Sequence, residues 1–214
     1  SIGNLPIDAA PPRAGIRDHI VAGRDYPDFL MERSCRAADP AQSFQALTVG
    51  SVAYQFYQGA DWQSFAQEES HPSSFSRSGL GIWGTIKPDV VEFGGDFLRT
   101  QNNPPDIATP SEGRDCYPEL ARSTMHSPGP PYDRDDVGTS FAAPKVTHIA
   151  ARLQQVLPDE PALLYRALIV QSARWPEWTQ DDGHDPLSIL RCIGYGVPDV
   201  ERATTNTDYR TTFI

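Results

Sequence analysis

Apolar residues fall into a few short clusters along the chain, separated by long polar stretches. Residues 1–45 show little periodicity. Gly3-Asn4 and the prolines before Gly15 predict mostly loop, with a short helix within Asp28–Phe44. The first clear strand is Ala46–Ala53, an apolar and β-branched run suited to cover on both faces. Residues 54–85 read as an irregular surface excursion. Ile86–Gly95 predicts a second buried strand, entered through Lys87-Pro88 and closed by Gly94-Gly95. Residues 96–137 read as one long loop holding a small hairpin.

The period then changes. Ala142, Ala143, Val146, Ile149, Ala150, Leu153 and Val156 recur at three- and four-residue steps, an amphipathic helix that Pro158 stops. Asp159 is placed to cap a second helix through Ala173, with Pro161 in its first turn. That helix is apolar on most sides, which predicts burial. A glycine turn, Gly194–Asp199, precedes a last short helix. Two strands against two strong helices make a thin core. Partner strands are therefore expected outside this chain, with an apolar parallel sheet edge open unless something covers it.

Composition narrows the function classes. Hydrophobic residues make up 39% and charged residues 21%, a globular balance. The 20 prolines and 16 glycines explain the loop content. A net charge of −10 without a Lys/Arg cluster argues against nucleic-acid binding. No apolar run is long enough to cross a membrane. Cys35, Cys116 and Cys192 are odd in number and lack metal-site spacing. Free thiols lean towards a reducing, cytoplasmic setting; one disulfide plus a free thiol is the alternative. The chain opens on Ser1 rather than methionine, which reads as a fragment of a longer protein.

The sharpest chemistry lies in Gly138–Val146. Ser140 stands just before an alanine-rich helix, over unpaired N–H groups and the positive end of the helix dipole. Negative charge developing in acyl transfer is stabilised at such a place. Gly138 allows a tight turn, Ala142 and Ala143 allow close packing, and Pro144 fits a first turn with no bonded N–H to lose. Plain helix capping by Thr139 or Ser140 accounts for the same residues.

Gly138-Thr139-Ser140-Phe141-Ala142-Ala143-Pro144 resembles the nucleophile signature of the subtilisin-like serine peptidases, the subtilases. Further landmarks follow in family order. Pro40–Val52 resembles the strand after the oxyanion region. The serine-rich turn Ser73–Gly79 leads to Lys87-Pro88-Asp89 and a strand. Tyr165–Ala173 resembles the helix after the nucleophile helix, and Gly194–Asp199 the closing glycine turn. The resemblance implies that Ser140 is the nucleophile. It also implies that Asn4, in Gly3-Asn4, donates its side-chain NH₂ to the oxyanion alongside the Ser140 N–H. An ordinary turn residue is the other reading of Asn4. Ile2 departs from the small residue usual at its place.

The family's catalytic aspartate and histidine precede the oxyanion asparagine, so the resemblance places both upstream of Ser1. His19, His71, His126, His148 and His184 match neither, and Asp135 and Asp136 read as loop charges. The implied fold is α/β: a partial three-layer subtilisin-like arrangement, with a mostly parallel sheet, helices on both faces and the N-terminal part missing. Residues 1–214 then form the C-terminal portion of a single peptidase domain. The implied function is serine endopeptidase for the parent protein, with this chain alone inactive; a non-catalytic binding or regulatory module is the alternative. Expected partners are a peptide or protein substrate, the missing N-terminal half, and a second copy across the open sheet edge. No cofactor and no metal is expected.

Overall fold

A computed structural model describes residues 1–109, 117, 119–122, 129, 135–181 and 183–205. Cys116 and His126 lie outside them. Strand β1, Val49–Val52, pairs in parallel with β3, Val90–Phe93, with Val49 opposite Val90. A separate antiparallel sheet joins β2 (Gln63–Ser64), β4 (Leu98–Arg99) and β5 (Ile107–Ala108) in the order β2-β4-β5. The β4–β5 pair is the hairpin expected within residues 96–137. The fold is α/β, with a small sheet content that mixes parallel and antiparallel pairing.

The alternation of β1 and β3 sends side chains to two separate cores. Val49 and Val90 face α2 (Thr139–Val156), α3 (Ala162–Ser172) and α5 (Val200–Thr204). There they pack with Ala142, Val146, Ile149 and Leu153. Val52 and Val91 face the other way, onto Leu5, Phe29, Phe75 and the Ile189 and Ile193 side chains of α4 (Pro186–Ile193). The buried stripe of α2 is the one its periodicity predicts.

Four local expectations are corrected. Residues 1–45 hold a helix, α1 (Ile16–Val21), closed at its start by Gly15 N–H donating to Asp18 Oδ2 at 2.8 Å. Short periodicity hid it, because six residues show barely two turns. Helix α3 starts at Ala162 with Pro161 as its N-cap, so Asp159 does not cap it. Pro144 lies in the second turn of α2; lacking an N–H, it cannot bond the Ser140 carbonyl. The edge of β1 away from β3 is covered. Ile2 N–H donates to the Val49 carbonyl at 2.8 Å, Ser73 N–H to the Ser51 carbonyl at 3.0 Å, and Ser51 N–H to Ser76 Oγ at 3.0 Å.

A buried ion cluster fixes the entry to β3. Lys87 Nζ stands 2.7 Å from Asp89 Oδ2, and Arg166 of α3 stands 2.7 Å from Asp89 Oδ1. Lys87 also donates to the Ala46 carbonyl and Thr48 Oγ1, so the charge is fully partnered. No helix among the described residues is long and apolar enough to cross a membrane.

Candidate active site

Helix α2 begins where β3 leaves its sheet. Gly138 N–H donates to the Gly94 carbonyl at 2.8 Å, which ties the start of the helix to the glycine pair closing the strand. Gly138 is the N-cap, and no side chain caps the helix. The capping account of Thr139 and Ser140 therefore fails. Thr139 turns elsewhere: its N–H and its Oγ1 both donate to Asn4 Oδ1, at 3.0 and 2.8 Å.

That pair of bonds orients the Asn4 carboxamide. With Oδ1 held by two donors, Nδ2 must point the other way. A Cβ placed on Gly138 would stand 3.2 Å from Asn4 Nδ2 and 3.1 Å from Ser140 Oγ. The amide and the hydroxyl thus flank one small space, which the missing side chain of Gly138 leaves open. Asn4 and Ser140 are both exposed. Among the described residues, nothing accepts the Ser140 N–H and nothing hydrogen-bonds Ser140 Oγ. Two N–H donors and a hydroxyl at a helix N-terminus can hold a carbonyl oxygen as it becomes negative.

The described histidines sit apart from this centre. His19 is buried, stacked on Phe29 at 5.7 Å and bonded through Nε2 to Ser34 Oγ at 3.0 Å. Burial first, then the Arg24 charge, pulls its pKa down. His71 packs edge-on to Trp178 at 4.6 Å, and burial with His184 nearby pushes it down to about 4. His184 packs on the same tryptophan at 5.3 Å. His148 is exposed two turns along α2. Asp135 is buried and paired with Arg122 at 2.7 Å, so it is not a solvated loop charge. No group of three His, Cys, Asp or Glu among the described residues could hold a metal ion.

Sequence reasoning missed the polar support beneath the site. Ser73 Oγ donates to the Gly95 carbonyl at 2.6 Å and meets Ser51 Oγ at 2.8 Å. Asp96, wholly buried, accepts from Ser74 Oγ, Ser74 N–H, Ala66 N–H and Phe97 N–H. Glu119 is buried as well and accepts from the Tyr54 and Gln55 N–H groups. Burial pushes Asp96 up to about 6 and Glu119 up to about 7, against these hydrogen bonds. The serine-rich turn was the visible signal: four hydroxyls close together need buried partners.

The family follows. The chain belongs to the subtilase family of serine peptidases, peptidase S8, whose profile matches residues 32–196. Ser140 falls inside that range and Asn4 before it. The chain is also 32% identical over 213 residues to an uncharacterized protein, y4bN, of Sinorhizobium fredii. The match takes in 94% of this chain and 47% of that relative, so the chain spans about half the relative's length.

Proposed function

We propose that residues 1–214 are the C-terminal portion of a single subtilisin-like domain in a serine endopeptidase, with Ser140 as nucleophile and Asn4 as oxyanion donor. Asn4 carries this reading: Thr139 ties its carboxamide oxygen, and the free NH₂ is left beside Ser140 Oγ. In the mechanism the family membership suggests, a histidine from the N-terminal part takes the Ser140 proton. Ser140 Oγ attacks the peptide carbonyl, and the Asn4 NH₂ with the Ser140 N–H holds the oxyanion. The leaving amine departs protonated, and water then releases the acyl group from Ser140. None of the described histidines is bonded to Ser140, so residues 1–214 alone are expected not to turn over.

The Ile2 contact on the outer edge of β1 supports an architecture in which a mostly parallel sheet continues past Ser1. Helices on both faces would complete three layers. With that edge of β1 already bonded by Ile2, Ser73 and Ser76, the N-terminal part of the domain would join the sheet beyond the Ile2 segment rather than at β1 itself.

A second reading is a non-catalytic binding or regulatory module. It is favoured by the absence, among the described residues, of any histidine bonded to Ser140. A fluorophosphonate probe with intact-mass and peptide analysis separates the two. The peptidase reading expects an adduct on Ser140 in the full-length protein and none in residues 1–214 alone. No adduct in folded full-length protein leaves the module.

A further inference from the structure

A cavity of about 530 Å³ opens against Asn4 and is lined also by Ser34, Arg13 and Arg77. No acidic residue among the described ones lines it. In a chain of net charge −10, two arginines facing one cavity are unexpected. Among the described residues, neither forms an ion pair, whereas Arg17, Arg24, Arg99 and Arg166 each have a carboxylate partner.

Arg77 is also built in. Its Nη1 donates to the Ser34 and Arg36 carbonyls, 3.0 Å each, which fixes the plane of the guanidinium. A Cβ on Gly3 would stand 3.2 Å from Arg77 Cδ, so the stem lies directly against the Gly3-Asn4 backbone. Arg77 N–H donates to the Gly3 carbonyl at 3.2 Å, which holds the two segments together. Burial lowers the Arg77 pKa, and Arg13 adds to that effect. Both influences mark a place where an anion would be welcome. The remaining N–H groups of Arg77, and all of those of Arg13, are available for a planar bidentate acceptor.

We infer that this cavity is a specificity site that receives an acidic side chain, aspartate or glutamate, from the residue whose carbonyl Ser140 attacks. The inference rests on the proposed function. Covalent geometry links the two sites. The carbonyl oxygen held by Asn4 lies about 2.4 Å from its own Cα. Asn4 is the residue that the oxyanion centre and the cavity share, so a side chain leaving that Cα on the Asn4 side is directed towards the cavity. A glutamate carboxylate, reaching roughly 4–5 Å beyond the Cα, meets the guanidinium groups. A lysine there would face two like charges in a partly dry space, and a leucine would leave them unpaired.

The test uses the full-length protein and fluorogenic peptides that differ only at the residue before the scissile bond: Glu, Leu or Lys. The expected result is a kcat/KM at least tenfold higher for Glu than for Leu, with Lys lower still. R77Q and R13Q should each cut the Glu-to-Leu ratio several-fold, and R13E should bring it to one or below. R13E guards against misfolding, because Arg13 is exposed and makes no described side-chain bond. Ser140 labelling together with a Glu-to-Leu ratio of one, or with a ratio that R13E does not move, overturns the inference alone. Absence of Ser140 labelling overturns the proposed function, and this inference falls with it.

Discussion

Replacing Asn4 tests whether its NH₂ does chemistry or only shapes a turn. Asn4→Ala in the full-length protein removes the donor facing Ser140 and also the acceptor for the two Thr139 bonds. An oxyanion donor supplies about 3–4 kcal/mol to the transition state, so kcat should fall roughly 10²–10³-fold. KM should change little, because the developing charge belongs to the transition state. Asn4→Asp keeps an oxygen against Thr139 but lacks the NH₂ and adds repulsion, so it should be at least as damaging. Thr139→Val removes one of the two orienting bonds and leaves the NH₂ present. Loss of one neutral hydrogen bond is about 1 kcal/mol, or roughly fivefold in kcat. Steady-state kinetics on a fluorogenic peptide gives all three values. If Asn4→Ala keeps kcat within threefold of wild type while Ser140→Ala abolishes turnover, Asn4 is a turn residue. If Thr139→Val costs more than Asn4→Ala, the orientation argument is wrong.

Further outcomes are open to measurement. Gly138→Ala puts a methyl in tight contact with Ser140 Oγ and Asn4 Nδ2, at 3.1 and 3.2 Å; both are ends of exposed side chains that can shift, so the variant should fold but block phosphonate labelling of Ser140 by filling the space between them. Leu153→Ala, at a fully buried site in the α2 core, should cost about 2–5 kcal/mol of stability, read from denaturant midpoints. Asp96 and Glu119 have folded pKa values raised to about 6 and about 7, so the folded state binds these protons more tightly than the unfolded one. Their stabilisation is complete below the ordinary carboxylate range and is lost as pH rises through 6 and 7, on the order of 3 kcal/mol each. Urea midpoints at pH 5 and pH 8 should show the loss, and Asp96→Asn with Glu119→Gln should flatten it.

Periodicity carried the parts of the fold that repeat. The α2 stripe Ala142, Val146, Ile149 and Leu153 spans enough turns to be unambiguous, and Val49–Val52 and Val90–Phe93 are apolar on both faces because each feeds two cores. Two-residue strands such as Gln63–Ser64 and Leu98–Arg99 cannot display alternation, so only tertiary pairing defines them. The candidate site was legible through Gly138-Thr139-Ser140 and Gly3-Asn4. What local sequence could not carry was the contact between them, because the Thr139–Asn4 bonds join residues 135 positions apart. The buried carboxylates Asp96 and Glu119 escaped notice for the same reason. Their acceptor bonds come from Ala66, Ser74, Tyr54 and Gln55, which no periodicity connects to them.

The bond from Gly138 to Gly94 brackets residues 95–137 at both ends. The position of Ser140 is referenced to the end of β3, not to the length of chain between. Closing a longer loop raises its entropic cost only slowly, by about 0.6 kcal/mol per doubling. Relatives could therefore lengthen, shorten or redecorate that stretch and acquire new contacts without resetting the reactive centre. The glycine pair works as a fixed docking point that lets one segment diversify while the other stays in register.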